Sequence, residues 1–166
     1  MNEKKLIILV IVITVIIIFG GVFVLGSTTN NTPKAGASKD AKAYTLEPTS
    51  FDLGNVPING GNVTKTFTIK NAGSGVLKVF NVKTSCHCTK ARVTIAEEDS
   101  PDFGMDSISS WVGEVPAGDK AKLTAIFDPA FHGVQGIGPI NRFVLIETND
   151  SRNSKLTFTL TGTVIK

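Results

Sequence analysis

The sequence predicts an all-β domain, a two-sheet antiparallel sandwich of about seven strands, preceded by one transmembrane helix. Three observations carry this. From Tyr44 onward apolar residues recur at every second position, the period of a half-buried strand. Clusters of Gly, Asn, Asp and Pro separate these runs, and no segment of the domain keeps a helical period. Ahead of it, residues 6–25 form an apolar run without a single charge.

That run follows Lys4 and Lys5, and as a helix at about 1.5 Å per residue it would extend about 30 Å, the thickness of a bilayer core. It exceeds the apolar core of about 7–15 residues usual in a cleavable signal peptide. Val24-Leu25-Gly26 is a weak cleavage site, and no cysteine follows to take a lipid. The expected organisation is therefore a cytoplasmic N-terminus at 1–5, a membrane anchor at 6–26, a flexible linker at 27–43 and the sandwich at 44–166. The lysines stay inside, which makes this a single-pass protein of the cell membrane with its C-terminal domain extracytoplasmic. The linker has no large apolar side chain with which to bury a core.

Within the domain, Val63, Phe67 and Ile69 alternate with threonines and Lys70. Asn71-Ala72-Gly73-Ser74-Gly75 is turn chemistry, and 76–82 is the next strand, so the pair reads as a hairpin. Ala121, Leu123, Ala125 and Phe127 form another alternating run, closed by Asp128-Pro129. Residues 143–146 are apolar on both faces, as in a central strand, and Thr148-Asn149-Asp150-Ser151 turns the chain into Leu156, Phe158 and Leu160. This succession suggests a sandwich of the immunoglobulin type, without the Cys-Trp-Cys pattern of antibody domains. The alternation fails between Ile95 and Val115, where the chain reads as a loop insertion that Trp111 and Val112 return to the core. A Gly-rich stretch from 130 to 139 is the second irregular region. Loops of this length in a small domain tend to carry function.

Charge excludes one class of partner. From Tyr44 to Lys166 twelve Lys and Arg face twelve Asp and Glu, with no basic stripe, so nucleic acid is not expected to bind. No serine has a catalytic context and the carboxylates are scattered over turns, so an enzyme is not expected.

Several short motifs, in order, resemble a bacterial domain family of unknown function related to the Hydin-like (ASH) and PapD-like immunoglobulin sandwiches. They are Phe51-Asp52-Leu53-Gly54, Lys70-Asn71-Ala72-Gly73, Ser85-Cys86-His87-Cys88-Thr89, Val115-Pro116-Ala117-Gly118, Phe127-Asp128-Pro129, Thr148-Asn149-Asp150 and Leu160-Thr161-Gly162-Thr163-Val164. The resemblance implies an exported immunoglobulin-like sandwich with no established activity. His87 stands where the family has Gly, and the 96–114 insertion and Phe131-His132-Gly133 also depart from its pattern.

The Cys-His-Cys stretch holds both cysteines and one of the two histidines of the chain. In an extended strand Cys86 and Cys88 would share a face, His87 would take the other, and the Cα atoms would stand about 7 Å apart, at the limit for a disulfide. Three uses stay open. The cysteines could serve with His132, and with Met105 or His87, as ligands of copper(I) or zinc. They could form a labile disulfide, or pack as small buried thiols. The expected function is a membrane-anchored binding module of the cell envelope with a protein partner at the surface. The alternative is a soft-metal or thiol-redox protein built on Cys86, His87, Cys88, Met105 and His132.

Overall fold

A computed structural model describes residues 3–25 and 33–166, which divide into two compact units, 1–31 and 32–166. In the first, α1 spans Glu3–Leu25. Its described side chains are Glu3 and those of 7–17, all exposed. Among the described residues no helix is long and apolar enough to cross a membrane. Most of the linker's first half, 27–32, lies outside the described residues.

The second unit is an all-β sandwich of ten strands. Its first sheet runs in the order β1 (Ala43–Thr45), β3 (Val63–Asn71), β8 (Lys120–Phe127), β5 (Thr89–Ile95), β6 (Glu98–Asp99). The second runs β2 (Ser50–Pro57), β10 (Lys155–Ile165), β9 (Gly138–Thr148), β4 (Leu77–Thr84), β7 (Val112–Val115). The strand count exceeds the expected seven because β1, β6 and β7 are too short to show a period. Nor is the sandwich wholly antiparallel, since β2 pairs with β10 in parallel. The register of that pair shifts between Thr161 and Thr163. A Cβ at the intervening Gly162 would stand 2.9 Å from the carbonyl of Gly54, so the motif glycine admits the neighbouring strand.

The alternating residues meet between the sheets. Phe67, Ile69, Leu123, Ala125 and Phe127 from the first face Leu77, Val79, Ile146, Phe158 and Leu160 from the second, all essentially sealed from solvent. Phe67 and Phe158 join the layers with ring centroids 4.8 Å apart. Each of these side chains except that of Ala125 contributes about 1.5–3 kcal/mol by leaving water. β9 is central, as expected, but its second apolar face is only partly covered, with Phe143 exposed.

Two further expectations are corrected. The 63–82 pair is not a hairpin, because β3 and β4 belong to different sheets and the turn between them crosses the sandwich. Buried Asn71 shapes that crossing. Its Nδ2 donates to the carbonyls of Gly75 (2.7 Å) and Val115 (2.9 Å), while Oδ1 accepts from the N–H of Gly73 at 3.0 Å. The linker is also shorter than 27–43. Ser38 donates its N–H to the Asn149 carbonyl at 2.7 Å, Gly75 N–H donates to the Asp40 carbonyl, and Ala41 and Ala43 are buried. Small side chains let this backbone lie flat on the domain, so ordering it needs no large apolar residue.

The 96–114 insertion is stitched to the first sheet. After β6, Phe103 exchanges two 2.8 Å backbone hydrogen bonds with Ala91, buries its ring, and packs 5.5 Å from Trp111.

Candidate functional site

The connection from β4 to β5, residues 85–88, is a second crossing between sheets, and it carries both cysteines. The hydroxyl of Thr84 donates to the Thr89 carbonyl at 2.9 Å, with the Cys86 carbonyl also in reach at 3.1 Å. Thr89 N–H in turn donates to the Cys86 carbonyl at 3.0 Å. Threonines on either side thus bend the chain, and the Cα atoms of Cys86 and Cys88 come to 5.2 Å rather than the separation of an extended strand. The two sulfurs are bonded to each other.

The 130–139 loop comes to the same turn. Asp128 N–H donates to the Cys88 carbonyl at 2.9 Å, and the Asp128 carboxylate accepts from Ala130 N–H at 2.9 Å. The Phe-Asp-Pro motif therefore clamps the start of the loop against the cysteine turn. Beyond it a single 3-10 turn, Gly133–Gly136, follows His132, whose Nε2 lies 3.4 Å from Cys86 Sγ. Phe131 meets the His132 ring edge-on, 5.0 Å between centroids.

One ligand atom each from Cys86, Cys88 and His132 fall within 4.8 Å of one another. The other two expected ligands are elsewhere. His87 turns toward Asp106, Nε2 to Oδ2 3.4 Å, and both side chains are exposed. Met105 lines a cleft with His87, Lys90, Phe103 and Asp106 that includes neither cysteine nor His132. Cys86, Cys88 and His132 thus form a sulfur–imidazole cluster, while the two optional additions, His87 and Met105, line a separate cleft.

Arg142 is a member of the site that the sequence does not single out. It sits on β9, and its Nε donates to Cys88 Sγ at 3.1 Å across 54 residues of chain. No motif joins the two positions, and only the second sheet's pairing of β9 beside β4 brings them together. The two sulfurs differ in access, Cys88 being 2% exposed and Cys86 half-buried.

The other motif residues do structural work. Asn149 accepts from Lys78 N–H (2.8 Å) and donates to the Val76 carbonyl (3.1 Å). Asp150 is buried and accepts from the N–H of Ala43 and of Arg152, each at 2.9 Å, and from Asn153 Nδ2. Burial pushes its carboxyl upward, but these donors together outweigh burial and hold it below the usual aspartate value.

Residues 44–100 match the model of a family described as protein of unknown function, DUF1573. The matched stretch includes the Phe-Asp-Leu-Gly opening, the Asn71 turn and the Cys86–Cys88 turn, so the resemblance read from the motifs is shown there. The crystal structure of a protein of unknown function from Porphyromonas gingivalis W83 is similar, with a TM-score of 0.57 at 19% identity. The similarity covers 79% of this chain and 50% of that one, so this chain spans about half the length of that protein. The ASH/PapD-like domain of human CEP192 (PapD-like domain 7) is similar over 84% of this chain and 96% of its own, at 17% identity and a TM-score of 0.47. At these identities the likeness concerns the fold alone. No curated protein matches the chain.

Proposed function

We propose that this chain is a membrane-tethered, extracytoplasmic binding module of the cell envelope, and not an enzyme of the usual kinds. Residues 6–26 are its anchor, Lys4 and Lys5 its cytoplasmic flank, and a surface protein its partner. The apolar, charge-free composition of 6–25 behind Lys4 and Lys5 supports the anchor. The observation that carries the binding reading is the exposure of aromatic side chains at the cysteine end of the sandwich. Phe131 is 51% and Phe143 41% exposed. Phe143 is tied to Ser85 by two hydrogen bonds, Phe143 N–H to Ser85 Oγ at 2.9 Å and Ser85 N–H to the Phe143 carbonyl at 3.0 Å. Phe131 adjoins His132. Large rings left in water beside polar groups are what interface anchors look like before a partner covers them.

The test is photo-crosslinking in intact cells from an unnatural side chain at position 131 or 143, with position 65 as control. A discrete protein adduct from the first two sites, absent from the control, is the expected result. Equal labelling from all three would remove the reading.

A second reading of the same end is favoured by the convergence of Cys86, Cys88 and His132. This donor set suits thiol chemistry, or, with the sulfurs reduced, copper(I) or zinc held by two thiolates and one imidazole. Met105 and His87 are not part of it. Elemental analysis of full-length protein purified without chelator tests the metal branch, which requires about one ion per chain.

A further inference from the structure

The second reading leaves metal binding and thiol exchange as competitors, and Arg142 separates them. A cation bound to Cys88 Sγ would share that atom with a guanidinium whose Nε is 3.1 Å away, and the two positive charges would repel. The same guanidinium favours negative charge on the sulfur, as a neighbouring cation does for reactive thiols. A purely structural pair, in turn, needs neither a cation on the buried sulfur nor an imidazole on the accessible one. Here the accessible sulfur, Cys86, has His132 Nε2 at 3.4 Å, and the sealed sulfur, Cys88, has Arg142.

We propose that Cys86 and Cys88 form a thiol–disulfide exchange site for cysteine thiols of a docked protein. Cys86 is the sulfur attacked, Cys88 the sulfur that leaves, and Arg142 the group that receives it. The partner's thiol passes its proton to His132 Nε2 and attacks Cys86 Sγ. A new S–S bond forms between the partner and Cys86 as the Cys86–Cys88 bond breaks. The bonding pair departs with Cys88 as a thiolate held by Arg142. A second cysteine of the partner, as its thiolate, then attacks the partner sulfur of this mixed disulfide and releases Cys86 as a thiolate, which recovers the proton from His132. The second cysteine's own proton has gone to water. The partner is oxidised from dithiol to disulfide, and Cys86–Cys88 is reduced by the same two electrons. Access enforces the direction of attack, because an incoming sulfur must approach from solvent and Cys88 is closed to it. The exposed rings of Phe131 and Phe143 at this end favour a protein thiol over a small free one.

This inference rests on the second reading, and only its choice of a protein thiol over a small one draws on the exposed rings of the first. Its test uses glutathione as probe and no partner, so failed crosslinking would leave it standing. Full-length chain in detergent micelles is incubated with reduced glutathione, quenched with N-ethylmaleimide in acid-free denaturant so that buried thiols are labelled, and mapped by mass spectrometry. The expected product carries glutathione on Cys86 and maleimide on Cys88, about tenfold over the reverse arrangement. Arg142→Gln is expected to slow its formation about tenfold, with Arg142→Lys recovering part of the rate. Glutathione on both sulfurs alike would overturn the proposal, and wild-type mapping needs no variant to fold. So would an unchanged rate in an Arg142→Gln chain that melts like wild type, or a stoichiometric metal ion that shields both thiols until chelated.

Discussion

The chain crosses between its sheets at both ends of β4, and the two crossings are built from opposite materials. At the start of β4 the turn is held by the Asn71 and Asn149 amides, and the Asp150 carboxylate fixes Ala43, the residue paired with Asn71. Asn71 uses both amide hydrogens and its carbonyl, which lies also 3.4 Å from the N–H of Lys42, and Asn149 and Asp150 are engaged in the same way. Among the described residues no buried side-chain nitrogen or oxygen lacks a partner. At the end of β4 the turn is held by the Thr84 hydroxyl, the Thr89 backbone and sulfur, and two of its groups, Cys86 and His132, retain access to solvent. A side chain whose hydrogen-bonding capacity is spent inside the fold can only stabilise. One that is positioned but still open can act on something else. By that measure the Asn71 and Asn149-Asp150 motifs belong to architecture, and the cysteine turn is where the proposed chemistry is placed.

Breaking the first crossing should cost the most stability. Asn71→Ala strands the carbonyls of Gly75 and Val115 and the N–H of Gly73, and a loss of about 3 kcal/mol is expected in denaturant unfolding. Asp150→Asn should cost about 2 kcal/mol at neutral pH, since charge-assisted acceptance from Ala43 and Arg152 is weakened. It also probes pH dependence. A carboxyl held below its unfolded value adds stability that is complete above that value, about 3.9, and is lost as pH falls through the lower native one. Wild-type stability should therefore drop below about pH 4, and the Asn variant should show a shallower decline over that range. A decline of equal slope in both would reassign the acid sensitivity to other carboxylates.

At the second crossing the effects on stability should be smaller. Cys86→Ser opens a loop of sequence separation 2, for which the chain-entropy model gives about 1.5 kcal/mol, while glutathione exchange should vanish. Phe131→Ala should shift stability by no more than about 0.5 kcal/mol, because the ring is half in water. Its expected effect is on partner crosslinking from position 143. Should Cys86→Ser prove as destabilising as Asn71→Ala, the contrast between the two ends would collapse into two structural turns.

The strand runs were legible because alternation is a local property. A residue such as Leu123 must face inward if Lys122 and Thr124 face outward, whatever the rest of the chain does. The same is true of the apolar run at 6–25, whose composition alone raises the expectation of an anchor. Cys86, Cys88 and His132 were also visible as candidates, since their side chains are rare here and fall in irregular stretches. Met105 and His87 were singled out on the same ground; Met105 lies in a cleft that holds neither cysteine nor His132, and His87 turns to Asp106.

What tertiary structure alone decided were the pairings between distant segments. Period two does not say which sheet a strand joins, so the 63–82 pair read as a hairpin while Asn71 sends its second strand to the opposite layer. The ordering of the linker onto Asn149 and Gly75 likewise depends on backbone hydrogen bonds, which leave no trace in side-chain hydropathy. The contact between Arg142 and Cys88 exists only because β9 lies beside β4. Local chemistry sets which faces are apolar; long-range packing sets which functional groups meet, and the cysteine turn acquires its cation and its imidazole by that second route.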